Sequence, residues 1–214
     1  LAGSLVAFSA NAAEMTVSGA TMLTYTTEDT TEVTGNPFGM KTNLSFTASG
    51  EVNGYNVSYM QTSKDQFAGM SSARLSIDMG DMGTLAFDQG SGSGLATIDD
   101  KTPTAAEEIW DGLDTTTSGR VGAVGSSGVF NYINSFGGVT ANVAIRRGSG
   151  TSNSDGASSG DGAGSGYDVA LTTDGSMLGI DGLALGAGYG ESSVGTTAVA
   201  AGTTGDKTDL TGFV

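Results

Sequence analysis

No cysteine and no histidine occur anywhere in the 214 residues, and proline appears only twice. These absences exclude a thiolate nucleophile, an imidazole base, a disulfide framework and a zinc site of the usual ligand types. Catalysis would be left with carboxylates, hydroxyls and lysines. Positive charge is scarce too: eight Lys and Arg stand against 23 Asp and Glu, for a formal net charge of −15. That balance repels phosphate backbones and anionic lipid surfaces, so nucleic acid is not expected as a partner. After the N-terminus no stretch approaches the ~20 consecutive apolar residues of a membrane helix.

What the chain does have is glycine, 36 residues of it, with aromatic and β-branched residues spread throughout. Apolar residues make up 37% of the chain, below the usual globular share. This composition suits a β-barrel with a wet, polar interior, because only its outward face must be apolar. The first residues read as export: Leu1 to Phe8 form a short apolar run, followed by Ser9 and the small-x-small triplet Ala10-Asn11-Ala12. Cleavage is expected after Ala12 or Ala13. Residues 1–12 are thus read as a signal peptide that lacks its start, and 13–214 as barrel, incomplete at the C-terminus.

From Met15 onward the dominant pattern is period-two alternation in segments of about eight to twelve residues, the length of a tilted transmembrane strand. Met15, Val17, Gly19, Thr21, Leu23 and Tyr25 alternate with Thr16, Ser18, Ala20, Met22, Thr24 and Thr26. Leu44, Phe46 and Ala48 alternate with Asn43, Ser45 and Thr47, and the Asn53-Gly54 turn signal precedes Tyr55, Val57 and Tyr59. The clearest segment sets Ala73, Leu75, Ile77 and Met79 against Ser72, Arg74, Ser76 and Asp78. Further segments lie around Leu85–Phe87, Phe130–Tyr132, Val139–Arg146, Tyr167–Thr172, Leu183–Tyr189 and Lys207–Val214. The expectation is an all-β, antiparallel transmembrane barrel with about ten strands present. Short turns near 53–54, 80–83 and 135–138, with a somewhat longer one over 174–181, alternate with long polar links over 27–39, 63–71, 89–125, 148–166 and 192–206. Outer-membrane barrels have this asymmetry between periplasmic turns and external loops.

Met15-Thr16-Val17-Ser18-Gly19 resembles the opening strand of the Gram-negative general diffusion porins. Gly80-Asp81-Met82-Gly83-Thr84-Leu85-Ala86-Phe87 is similar to the turn and strand before their third loop. Arg120 and then Asn131-Tyr132-Ile133-Asn134-Ser135-Phe136-Gly137-Gly138-Val139 resemble the strand, turn and strand beyond that loop. The resemblance implies an outer-membrane barrel of roughly 16 strands, a homotrimer, and a third loop folded inward to narrow a water-filled channel. Passive diffusion of small hydrophilic solutes and ions is the implied function, with no enzyme activity and no cofactor. Here the third loop would be 89–125, carrying Asp99, Asp100, Glu107, Glu108, Asp111 and Asp114. The chain departs from the family where Asp88-Gln89 replaces a frequent Gly-Arg and where the turn after Ser135 has no proline.

Parity directs Lys41, Glu51, Arg74, Asp78, Asp88 and Arg146 to the polar face, since a charge on a lipid-facing position costs about 2–4 kcal/mol at midplane. Arg74 and Arg146 opposite the loop carboxylates would set a transverse field, and the acidic excess predicts mild cation preference. For Arg146 a second reading is equally open, in which Arg146-Arg147 simply ends a strand at the interface. Tyr25, Tyr55, Tyr59, Phe130, Tyr132 and Tyr189 are candidates for aromatic girdles. Glu107, Glu108 and Asp111 suggest a carboxylate pair, but a helical turn over Ala105 to Leu113 packed on Trp110 accounts for them better. Asp155 and Asp161 sit among glycines and serines without the spacing of a calcium loop. A secreted β-rich adhesin or surface-layer protein is the alternative of a different class, and it would need a dry core between two sheets.

Overall fold

The computed structural model describes residues 14–25, 38–63, 69–98, 124, 127–148, 164–193 and 207–214. Ten strands succeed one another: β1 (Glu14–Tyr25), β2 (Phe38–Val52), β3 (Tyr55–Ser63), β4 (Met70–Asp78), β5 (Thr84–Gln89), β6 (Ser127–Phe136), β7 (Val139–Arg146), β8 (Gly166–Asp174), β9 (Ala184–Ser192) and β10 (Lys207–Phe213). They form one antiparallel sheet in strict sequence order, β1 to β10. Among the described residues there is no α-helix, and β1 and β10 each have one strand neighbour. The expected signal segment 1–12, the helical turn at 105–113 and the glycine-rich stretch with Asp155 and Asp161 lie outside the described residues.

An antiparallel meander sends every second connection to the same end. The links after β1, β3, β5, β7 and β9 lie at 26–37, 64–69, 90–126, 147–165 and 193–206, and all but 64–69 are longer than any turn at the other end. The turns at the opposite end cover 53–54, 79–83, 137–138 and 175–183. Two of these are minimal hairpins. Asn53 at φ 53° and Gly54 at φ 84° place both central residues in the left-handed region, which the right-handed twist of the flanking strands favours. The β4–β5 turn differs from expectation: Met79 leaves the strand and its N–H donates to the carbonyl of Gly83 at 2.9 Å. Gly80 and Gly83, both at positive φ, make that tighter exit possible.

Register assigns each strand residue to one of two faces. On one face Leu75 stands between Tyr59 and Phe87, Phe130 between Phe87 and Ile145, and Tyr167 beyond Ile145. This face is apolar and exposed: Met15, Val17, Leu23, Phe46, Leu85, Leu171 and Leu210 all lie open on it. Tyr25, Tyr55, Tyr59, Phe130, Tyr132 and Tyr189 belong to it by register. Tyr25 and Phe38 meet at its loop end with centroids 5.0 Å apart. Near its turn end the Tyr132 hydroxyl donates to the carbonyl of Met82 at 2.8 Å. By register, Glu191 is the one charged residue on this face among the described strands.

The other face is polar. Hydroxyl pairs bridge strands on it: Thr16 with Thr47, Ser45 with Thr62 at 2.9 Å and Ser135 with Thr140 at 2.9 Å. Such pairs add about 0.2–1 kcal/mol each to sheet pairing. Among the described residues buried apolar side chains are few, and apart from Ala73 and Ala86 they gather where residues after β5 lie against this polar face. The sheet is therefore two-sided, with one greasy face and one wet face.

Gly54→Val is expected to cost about 1–3 kcal/mol because a β-branched residue resists positive φ, whereas Asn53→Gly should stay within about 0.5 kcal/mol. Urea midpoints for the two variants, measured in the detergent or lipid that keeps the wild type folded, check this. Equal losses would contradict the turn geometry.

Candidate functional site

The polar face acquires a second layer between β5 and β6. A register shift at Asp88/Gln89 ends the regular pairing of β5, and the chain then passes through Gly90-Ser91-Gly92-Ser93-Gly94. Gly90, Gly92 and Gly94 all have positive φ, at 92°, 94° and 55°. This alternation turns the chain back over the sheet, where the 3₁₀ turn Gly94–Thr97 settles on β7, β8 and β9. Leu95 is fully buried there and packs with Ile98, Ala170 and Phe213. Val124, just before β6, packs with Val129 and Ala144 in a second cluster.

The room for Leu95 comes from glycine in β9. A Cβ on Gly188 would stand 2.2 Å from Leu95 Cδ2, and one on Gly186 would stand 2.0 Å from the Phe213 ring. Any side chain at these positions would overpack the layer. At Gly94 the constraint is tighter still, since a Cβ would fall 1.5 Å from Asp168 Oδ1.

Polar contacts tie the layer to the sheet. Asp88 is fully buried and accepts from the Ser91 N–H at 3.1 Å, from the Ser91 hydroxyl, and from the Ser93 hydroxyl at 2.8 Å. Ser93 in turn accepts from Arg74 Nη2 at 3.2 Å, so Arg74 reaches its cross-strand neighbour Asp88 through a serine. Arg74 also donates to Asn131 Oδ1, while its Nε has no hydrogen-bond partner among the described residues. Asn131 passes the chain on by donating to Asn142 Oδ1 and to the Val143 carbonyl at 3.0 Å. Asn142 Oδ1 also accepts the Gly94 N–H at 2.8 Å. Asp168 accepts the N–H groups of Leu95 at 3.0 Å and Val124 at 3.2 Å. Buried carboxylates and amides of this kind persist because donors surround them.

The residues singled out from sequence divide by position. Arg74 and Asp88 come together under the inward segment. Glu51 and Asp78 are exposed at the short-turn end, in one register row with Asn56 between them, and Asp78 Oδ1 accepts the Gly80 N–H at 3.0 Å. Arg146 is the last residue of β7 and its Nε donates to the Gly164 carbonyl at 2.9 Å, at the loop end. Lys41 falls on the polar face by register, opposite Met22. Asp99, Asp100, Glu107, Glu108, Asp111, Asp114 and Arg120 lie outside the described residues.

Asn131, Asn142 and Asp168 were not singled out from sequence, although alternation places all three on the polar face. Two signals point to them in retrospect. Leu95 and Ile98 are apolar residues inside a polar link, and the preceding glycine-serine alternation gives that link the means to fold back.

Asn142→Leu leaves the Gly94 N–H and one Asn131 donor unsatisfied, at about 1–3 kcal/mol for each buried group. Asn142→Asp keeps the acceptor and is expected to lose much less. Urea titration of both variants tests this, and an equal loss would mean that Asn142 matters only for its volume.

Against known proteins, no family model matches the chain, no curated protein matches it, and no solved structure matches it.

Proposed function

We propose that the ten strands are wall of a closed outer-membrane β-barrel, a porin that passes small hydrophilic solutes and ions by passive diffusion. The observation that carries this reading is the two-sided single sheet. An exposed apolar face spanning ten strands is far larger than the patches that soluble monomers tolerate, and lipid is the partner that would cover it. The opposite face keeps hydroxyls and charged side chains, as a wall facing water requires. Four long links at one end, at 26–37, 90–126, 147–165 and 193–206, against shorter turns at the other fit loops outside the cell and turns in the periplasm. The adhesin alternative needs a second sheet to bury the apolar face, and the described residues form one sheet.

In this reading the sheet belongs to a barrel of roughly 16 strands, assembled as a homotrimer and exported by the segment 1–12. The connection between β5 and β6 narrows the channel, because residues 90–98 and 124 already stand over the polar face rather than beyond its end. Its acidic stretch and the net charge of −15 favour cations over anions. Solutes pass without chemical change, and no cofactor takes part.

The test is electrical. The full gene product, inserted in a planar bilayer, should give large ohmic single-channel steps and a reversal potential favouring the cation under a potassium chloride gradient. An anion-favouring potential would mean that basic residues dominate the narrowest point. A folded, membrane-inserted product with no conductance would end the pore reading. In the same preparation a water-soluble thiol reagent should label cysteines placed at Ser58 and Ser76 and spare those at Val57 and Ile77. The reverse pattern would invert the assignment of faces.

A further inference from the structure

One side chain on the wall reaches two parts of the chain that are far apart in sequence. Asp168 Oδ1 accepts the Leu95 N–H, just after β5, and Oδ2 accepts the Val124 N–H, just before β6. Both limbs of one connection thus end on the two oxygens of one carboxylate. The apolar contacts divide the same way. The descending limb seats Leu95 and Ile98 on Ala170, two residues along β8 from Asp168. The returning limb seats Val124 on Ala144, the register partner of Asp168 on β7. Asp168, 2% exposed, stands at the boundary between the two clusters.

We propose that Asp168 is the positioning residue that clamps both limbs of the β5–β6 connection to the wall and so sets how that connection stands over the channel. Only a carboxylate of this length suits the place. Two N–H donors converge on it, and an acceptor is needed for each. An asparagine offers one carbonyl oxygen and turns its amide donors toward the second N–H, so one limb must let go. A glutamate keeps two acceptors but carries them one methylene further out, past the place beside Gly94 that Asp168 Oδ1 already fills. Asp88 does not duplicate this role, because its partners Ser91 and Ser93 both belong to the descending limb.

The effect on conductance rests on the pore reading, whereas the clamp itself is read without it. Hydrogen exchange of the full-length protein, folded in detergent or lipid, is followed in peptides covering Leu95 and Val124, with β8 and β9 as internal reference. In the wild type both amides should be protected. Asp168→Asn should speed exchange at both by roughly tenfold or more while β8 and β9 keep their protection, since release of one limb loosens the other. Asp168→Glu should fall between the two. In bilayers the Asn variant should show noisier open-channel current than the wild type. Unprotected amides in the wild type would overturn the clamp even if no variant folds. Exchange unchanged in a folded Asn variant would overturn it as well, and a rise at one limb alone would overturn the coupling between the limbs. Altered exchange with unaltered current would overturn the link to the channel. Altered exchange in a protein that never conducts would sink the pore reading and leave the clamp standing.

Discussion

The continuous ladder of antiparallel backbone hydrogen bonds is the constraint on which the other features depend. Once β1 to β10 pair in sequence order, every side chain is committed to one of two faces, and a slip of one residue would exchange the faces wholesale. The ladder also fixes where links must go, five to one end and four to the other. Neither consequence depends on a large core. That is why a chain with so few apolar residues can build an extended sheet, and why its glycines, so costly in a packed interior, are tolerated here.

Pattern alone revealed the strands because alternation is a local property. Arg74 between Ala73 and Leu75, or Asp168 between Tyr167 and Val169, announces its face from its neighbours. Strand ends were less visible: Met79 continues the alternation of β4 on paper, yet two positive-φ glycines draw it into the turn. Partners across the sheet were not visible at all. Arg74 and Asp88 belong to one face by parity, but the serine that joins them comes from a link with no period to read. The hold of Asp168 on Leu95 and Val124 spans separations that no local pattern encodes.

Charge is arranged as economically as apolar surface. Arg74 sits among acceptors supplied by Ser93 and Asn131 rather than directly against a carboxylate. Asp88 and Asp168 are satisfied largely by hydroxyl and backbone donors, and the polar face under residues 90–98 thereby carries more negative than positive side chains. Buried carboxylates held this way need no matching cation, which suits a sequence with only eight basic residues. On the apolar face Glu191, the one charged residue there among the described strands, accepts from the Tyr189 hydroxyl on its own strand.

Both limbs of the β5–β6 connection are fastened at its base, and among the described residues the fastening draws on 91–95, 98 and 124. None of these contacts belongs to the strand ladder itself, so which strands pair does not depend on them. A fold arranged in this way separates the part that keeps its shape from the part that can be rewritten. On the pore reading proposed above, solute preference would then be a property of that connection, while the sheet beneath stays as it is.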